Sequence, residues 1–309
     1  MPLFAILSPD VFLLSAVALV VWASVAAWAA AFARWRQRRP VIPYQPRRPV
    51  PWGALDLSFV TLIFLAAQAC VLFFAAKYLG SDAVHTPAVY DPDKESTLHA
   101  ALQLMAEADV WVLLLCGFSA IIAAPVAEEF LFRVVLQGWL ESLEQRHRRR
   151  MPTLRRLLPR AFMPIALTSF LFAMMHFRVD GPPIDKRFLM FMMAGNSAAG
   201  LLTMVLAVLV LRWRVGATAA DFGWSPSTIP GDVRLGLTAF AAVAVPIYAV
   251  QFALIFLLPK YVAADPFALF LLALVLGTLF YRTHRIVPAI VLHASLNATS
   301  FLLAWLGSL

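Results

Sequence analysis

Apolar runs of membrane-crossing length alternate with short polar segments along the whole chain. A helix needs about 20 predominantly apolar residues to cross a hydrocarbon core of roughly 30 Å. Eight runs approach or exceed that length, at about 11–32, 55–76, 110–140, 161–177, 188–211, 235–258, 266–281 and 286–306. They predict an all-α, polytopic transmembrane helical bundle of about eight spans. The third run would reach roughly 46 Å if unbroken, so tilt, protrusion or a break at Pro125 is expected. The Pro-rich stretch 40–51 reads as a short extended linker. The longest polar stretch, about 77–109, carries six acidic residues against two lysines, plus His85 and His99. It is expected to hold a short surface helix near 96–108 with Ser96 as its cap. The stretch 212–233, punctuated by Gly216, Gly223, Pro226, Pro230 and Gly231, reads as an interfacial connector.

Composition narrows the class. The 309 residues are 62% hydrophobic and 14% charged, with a mean hydropathy of +0.80. A soluble domain is nearer half apolar and a quarter charged, so this is an integral membrane protein with the lipid bilayer as its first partner. The first apolar run has no Lys or Arg ahead of it, which favours a retained helix over a cleaved leader. Cys70 and Cys116 both lie in apolar runs and read as reduced packing residues. A net charge of +8 could point to nucleic acid. The arginines instead cluster in the loops after spans one, three, five and seven, as topology signals do, so no nucleic-acid partner is expected. The positive-inside rule then places both termini outside a membrane expected to be the plasma membrane.

Against this apolar background a few polar residues stand out. Glu128, Glu129 and Arg133 interrupt the third run. Each such group at a helix centre costs roughly 2.5–3.5 kcal/mol even on translocon-derived scales. His176 and His293 are the two histidines of six that fall inside apolar runs. Phe172 precedes His176 by four residues and Asn297 follows His293 by four, so each pair shares a helix face. Counted from the arginine-rich side at 1.5 Å per residue, Glu129 lies roughly 16 Å deep, His176 roughly 22 Å and His293 roughly 10 Å. Glu129 and His176 are also about equally far from the middle of the loop joining their helices, so an antiparallel pair aligns them.

A packing explanation accounts for part of this. Glu129 and Arg133 at i and i+4 can pair within one helix, and the histidines and Asn297 can bond between helices. It leaves Glu128, about 100° around the helix, without a local partner. A carboxylate held in an apolar cavity suits a general base acting on water. Two histidines complete such a site either by binding a metal or by bonding the water and a developing oxyanion. Asn297 can donate to that oxyanion or orient His293. The parts make a hydrolytic site for an amide bond. The chain has no H-E-x-x-H, no G-x-S-x-G and no pair of intramembrane aspartates, which argues against those alternative chemistries.

Glu128-Glu129-x-x-x-Arg133, Phe172-x-x-x-His176 and His293-x-x-x-Asn297 resemble, in order, the three motifs of the CPBP intramembrane proteases. That family includes the glutamate-type CAAX prenyl endopeptidases and the bacteriocin-processing or immunity proteins of the Abi group. The segments 276–283 and 287–293 also look like the family's penultimate helix and the turn after it. The resemblance implies an intramembrane endopeptidase that hydrolyses a peptide bond of a membrane-associated, CAAX-type prenylated protein or peptide. It implies that Glu128 and His176 activate water and that His293 and Asn297 stabilise the oxyanion or help hold a metal, with Glu129, Arg133 and Phe172 supporting. Where the family is labelled metalloprotease, Glu128, His176 and His293 would hold a divalent ion such as zinc. The same fold also allows a catalytically inactive peptide-binding or immunity protein. Two departures stand out. His176 and His293 are 117 residues apart, as if two helices at about 186–260 were inserted into a core of 110–309 that follows an N-terminal part, 1–109. Val134 takes the place of the glycine often found after the motif arginine.

Overall fold

The apolar runs all become helices in the computed structural model, which describes residues 9–46, 49–80, 110–150, 159–176, 186–257 and 265–307. The surface helix expected near 96–108, with His85 and His99, lies outside the described residues. In chain order the helices are α1 (Pro9–Arg36), α2 (Ala54–Leu79), α3 (residues 110–150), α4 (Phe162–Met175), α5 (Lys186–Val215), α6 (Ile229–Leu257), α7 (Asp265–Thr283) and α8 (Val287–Gly307). Among the described residues, seven of these are long and apolar enough to cross a membrane. The exception is α4, whose 14 residues give about 21 Å and end just before His176.

The third helix differs from expectation in its middle and at the end of its apolar run. It continues as helix to Arg150, where a loop from Glu141 is expected from composition. Pairs at four-residue spacing carry it on: Ser142 Oγ donates to the Gly138 carbonyl, and Arg148 pairs with Glu144. Nor does Pro125 break it. Two π-helical stretches, Phe118–Ala123 and Phe130–Gln137, flank the α-helical turn Ala124–Glu129. A proline has no N–H to give to an upstream carbonyl. The chain absorbs that loss by widening the preceding turn, where the Ala124 N–H bonds to the Ser119 carbonyl, five residues back.

Helix α3 runs through the bundle with its middle against α8, α5 and α4. Around it α5 lies along α2, α8 along α6, α4 along α7 and α1 on α6. The helices expected to be inserted, α5 and α6, thus pack on opposite partners. Small residues let them approach: a Cβ on Gly200 of α5 would stand 3.1 Å from the Ala127 Cβ. One on Gly236 of α6 would come within 2.7 Å of the Pro288 carbonyl oxygen. Val134 is wholly buried, in the apolar cluster that includes Trp52, Leu211 and Phe222.

The arginine-rich ends meet at one end of the bundle. The Pro-rich linker is a strap across it: the Gln45 N–H donates to the Arg282 carbonyl at 2.8 Å and the Val50 N–H to Ser142 Oγ at 2.9 Å. Trp52 buries its indole and donates from Nε1 to the Val135 carbonyl at 3.1 Å. Asp56 pairs with Arg214 at 2.9 Å, tying α2 to the end of α5. Asp232 pairs with Arg285 at 2.6 Å, tying the start of α6 to the α7–α8 turn.

Candidate active site

Helix α3 presents its two adjacent glutamates to different surroundings because neighbouring helical residues point about 100° apart. Glu129 faces inward and is wholly buried. Its Oε2 accepts from Arg133 Nε at 3.1 Å, and its Oε1 meets His293 Nδ1 at 3.0 Å. The expected Glu129–Arg133 pair is therefore present and extends across helices to His293. Glu128 faces the other way, with its side chain 26% exposed. Its Oε1 lies 3.8 Å from His176 Nε2 and its Oε2 lies 3.9 Å from His293 Nε2. These residues come from α3, from the end of α4 and from α8, so folding brings together what the sequence scatters.

Each imidazole is held by its other nitrogen. His176 Nδ1 is 2.8 Å from the Phe172 carbonyl, and His293 Nδ1 bonds the Glu129 carboxylate. Carbonyl and carboxylate oxygens accept only, so both Nδ1 atoms donate and both Nε2 atoms turn to Glu128. The Phe172 ring is a buried post between them, 4.6 Å from the His176 ring and 5.8 Å from that of His293. Phe132 meets it edge-on at 5.2 Å, and the Arg133 guanidinium lies over it at 5.5 Å.

Asn297 bonds across to α3 rather than to His293. Its Nδ2 donates to the Ala120 carbonyl at 2.7 Å. In the widened turn before Pro125, Ala120 is five residues upstream of the proline, which has no N–H to offer it. Asn297 satisfies that carbonyl and pins α8 to α3 one turn from His293. Its second amide hydrogen remains free for another acceptor.

Glu128, His176 and His293 have the chemistry of a zinc ligand set, one carboxylate with two imidazoles whose other nitrogens are engaged. As they stand, no group of three or more His, Cys, Asp or Glu among the described residues is gathered closely enough to hold a metal ion. Sequence reasoning also passed over Gln137 and Glu141, which extend the series Glu129, Arg133 at the same four-residue spacing and are buried. The signal was legible in that period.

These features define a class: a multi-pass helical membrane protein with an acid, two imidazoles and an amide gathered inside the bundle. The family model described as type II CAAX prenyl endopeptidase Rce1-like matches residues 110–224 and 232–299, and the chain belongs to that family. The match covers α3, α4, α5, α6 except for its first residues 229–231, α7 and the site residues of α8. Comparison with curated proteins and with solved structures finds no match. Membership supports a CAAX-type membrane protease.

Proposed function

We propose that the chain is an intramembrane endopeptidase that cleaves a prenylated CAAX-type protein or peptide with water activated by Glu128. The observation that carries this reading is the convergence of three acceptors, the Glu128 carboxylate and the two Nε2 atoms, at 3.8 and 3.9 Å. Those separations are too long for direct hydrogen bonds and suit a donor shared between the groups. A water there would give one proton to Glu128 and direct its other hydrogen to His176 Nε2. Its oxygen attacks the scissile carbonyl, forming a tetrahedral oxyanion, and Glu128 passes its proton to the leaving amine. His293, backed at Nδ1 by Glu129 and Arg133, accepts at Nε2 from the protonated Glu128 and keeps it facing the leaving amine, while the free Asn297 hydrogen donates to the oxyanion. Drawn closer together than they stand, Glu128, His176 and His293 would hold a divalent ion such as zinc, which when bound would supply polarisation of the carbonyl. The steps above are those of the side chains.

The test is release of the C-terminal tripeptide from a farnesylated CAAX peptide by the full chain in proteoliposomes. Glu128→Gln is expected to lower kcat by about 10²–10⁴-fold, the contribution of a positioned base. Turnover at the wild-type rate would remove Glu128 from that role. Peptide binding without turnover in the wild-type protein would favour the inactive, sequestering reading. Loss of turnover with a chelator, restored by zinc, would reassign Glu128 from base to ligand.

A further inference from the structure

Beyond the motif residues, one buried polar line runs down α3 from the site towards the arginine-rich end. Glu129, Arg133 and Gln137 are each 0% exposed and Glu141 is 7% exposed, and they follow one another at four-residue spacing on one helix face. A single buried ion pair explains the first two. The second two need another reason, because an uncharged amide among apolar neighbours costs free energy unless its groups are bonded.

The Gln137 amide has one orientation. Its Nε2 donates to Glu141 Oε1 at 2.8 Å and to the Gly277 carbonyl at 2.9 Å. Both partners only accept, so reversing the amide would set its oxygen against two other oxygens. Gln137 Oε1 is therefore aimed the other way, and it has no hydrogen-bond partner among the described residues. The same holds for Nη1 and Nη2 of Arg133. Orphaned acceptor and orphaned donor converge on one spot: a Cβ placed on Gly277 would meet Gln137 Oε1 at 3.0 Å and Arg133 Nη1 at 3.6 Å. Glycine at this position leaves the two free to approach, and Ile165 Cγ2, 3.1 Å from the same point, closes the space from α4.

We propose that Gln137 is a positioning residue for the hydrolytic reaction. Anchored at its nitrogen to Glu141 and to the backbone of α7, it offers its oxygen to the Arg133 guanidinium. That leaves Arg133 one orientation, with Nε on Glu129, and Glu129 in turn holds His293 with Nδ1 protonated and Nε2 turned to Glu128. The line does not conduct protons, since a guanidinium stays charged and does not release one. It sets the direction of an imidazole.

The inference rests on the protease reading for its kinetic arm only. In proteoliposomes with the farnesylated CAAX peptide, Gln137→Leu is expected to lower kcat by roughly 10–100-fold with KM unchanged, the range seen when a group orienting a catalytic ligand is removed. Gln137→Met, closer in length, and Gly277→Ala, whose methyl displaces the Gln137 oxygen, are expected to do the same. The second arm needs no turnover. In full-length protein labelled with ¹⁵N-histidine, the His293 ring signals, assigned by their loss in His293→Gln, should change from a single Nδ1-protonated form to an averaged pair in each variant. Unchanged kcat, or unchanged His293 signals, in folded variants would overturn the proposal. If the wild-type protein cleaves nothing, the protease reading fails while the ring signals still decide the role of Gln137.

Discussion

At the residue scale, the two glutamates show how one peptide bond separates two chemistries. Glu129 is neutralised by Arg133 and bonded to His293, so it cannot also serve water. Glu128 has imidazole nitrogens on two sides and partial exposure, as a working group needs. Asn297 sits beside them with a double task, since its bond to Ala120 answers a carbonyl that Pro125 leaves without an N–H. This makes the two positions interdependent. Asn297→Ala should cost about 1 kcal/mol, the lower end of the penalty for stranding a carbonyl that is only partly buried. In a Pro125→Ala background, where residue 125 regains an N–H, the same change should cost less than half as much. A double-mutant cycle read by denaturant unfolding in micelles checks this; equal costs in both backgrounds would show that Asn297 does not serve the orphaned carbonyl.

At the element scale, α3 is one helix whose two π-helical stretches set the facing of what lies between them. Each widened turn shifts the register of the side chains beyond it relative to a straight α-helix. The turn bearing Glu128 and Glu129 lies between the two, against α8 and α5. Its backing is thin: Gly200 on α5 leaves no room for a side chain beside Ala127. Gly200→Leu should push α5 off α3 and cost about 1–3 kcal/mol, as overpacking does. By contrast a methyl on Gly231 would meet nothing within 4 Å, and the backbone there is ordinary helix. Gly231→Ala should stabilise by a few tenths to about 1 kcal/mol through a less flexible unfolded chain. Unfolding of the two variants side by side tests both.

For the whole molecule, residues 37–46 and 49–53 of the strap, the ends of α3, α5 and α7 and the turn into α8 are bonded to one another, so the arginine-rich segments share one end. We expect that end to face the cytoplasm, as the positive-inside rule requires. Exposed positions on the two ends make this measurable. With Cys70 and Cys116 replaced, single cysteines at Arg39 and Ser227 should resist a membrane-impermeant maleimide in intact cells. A cysteine at Lys77, exposed at the far end of α2, should react. The reverse pattern would invert the topology.

Much of what a single helix can express was already written along the chain. Spans follow from runs of apolar residues, and the Glu129–Arg133 pair follows from four-residue spacing, because the helical period is a local property. The three motifs were legible for the same reason: unsolvated charge and imidazole stand out against lipid-soluble neighbours. The extension of α3 past Leu140 was not, since arginine content reads as loop while pairs such as Glu144 with Arg148 keep the turns closed. Which helix faces meet was settled by packing in three dimensions. Packing gave His293 to Glu129 by one nitrogen and turned the other towards Glu128, sent Asn297 to a backbone carbonyl, and anchored the Gln137 amide on Gly277. Those choices depend on distances between helices, which no spacing within a helix encodes.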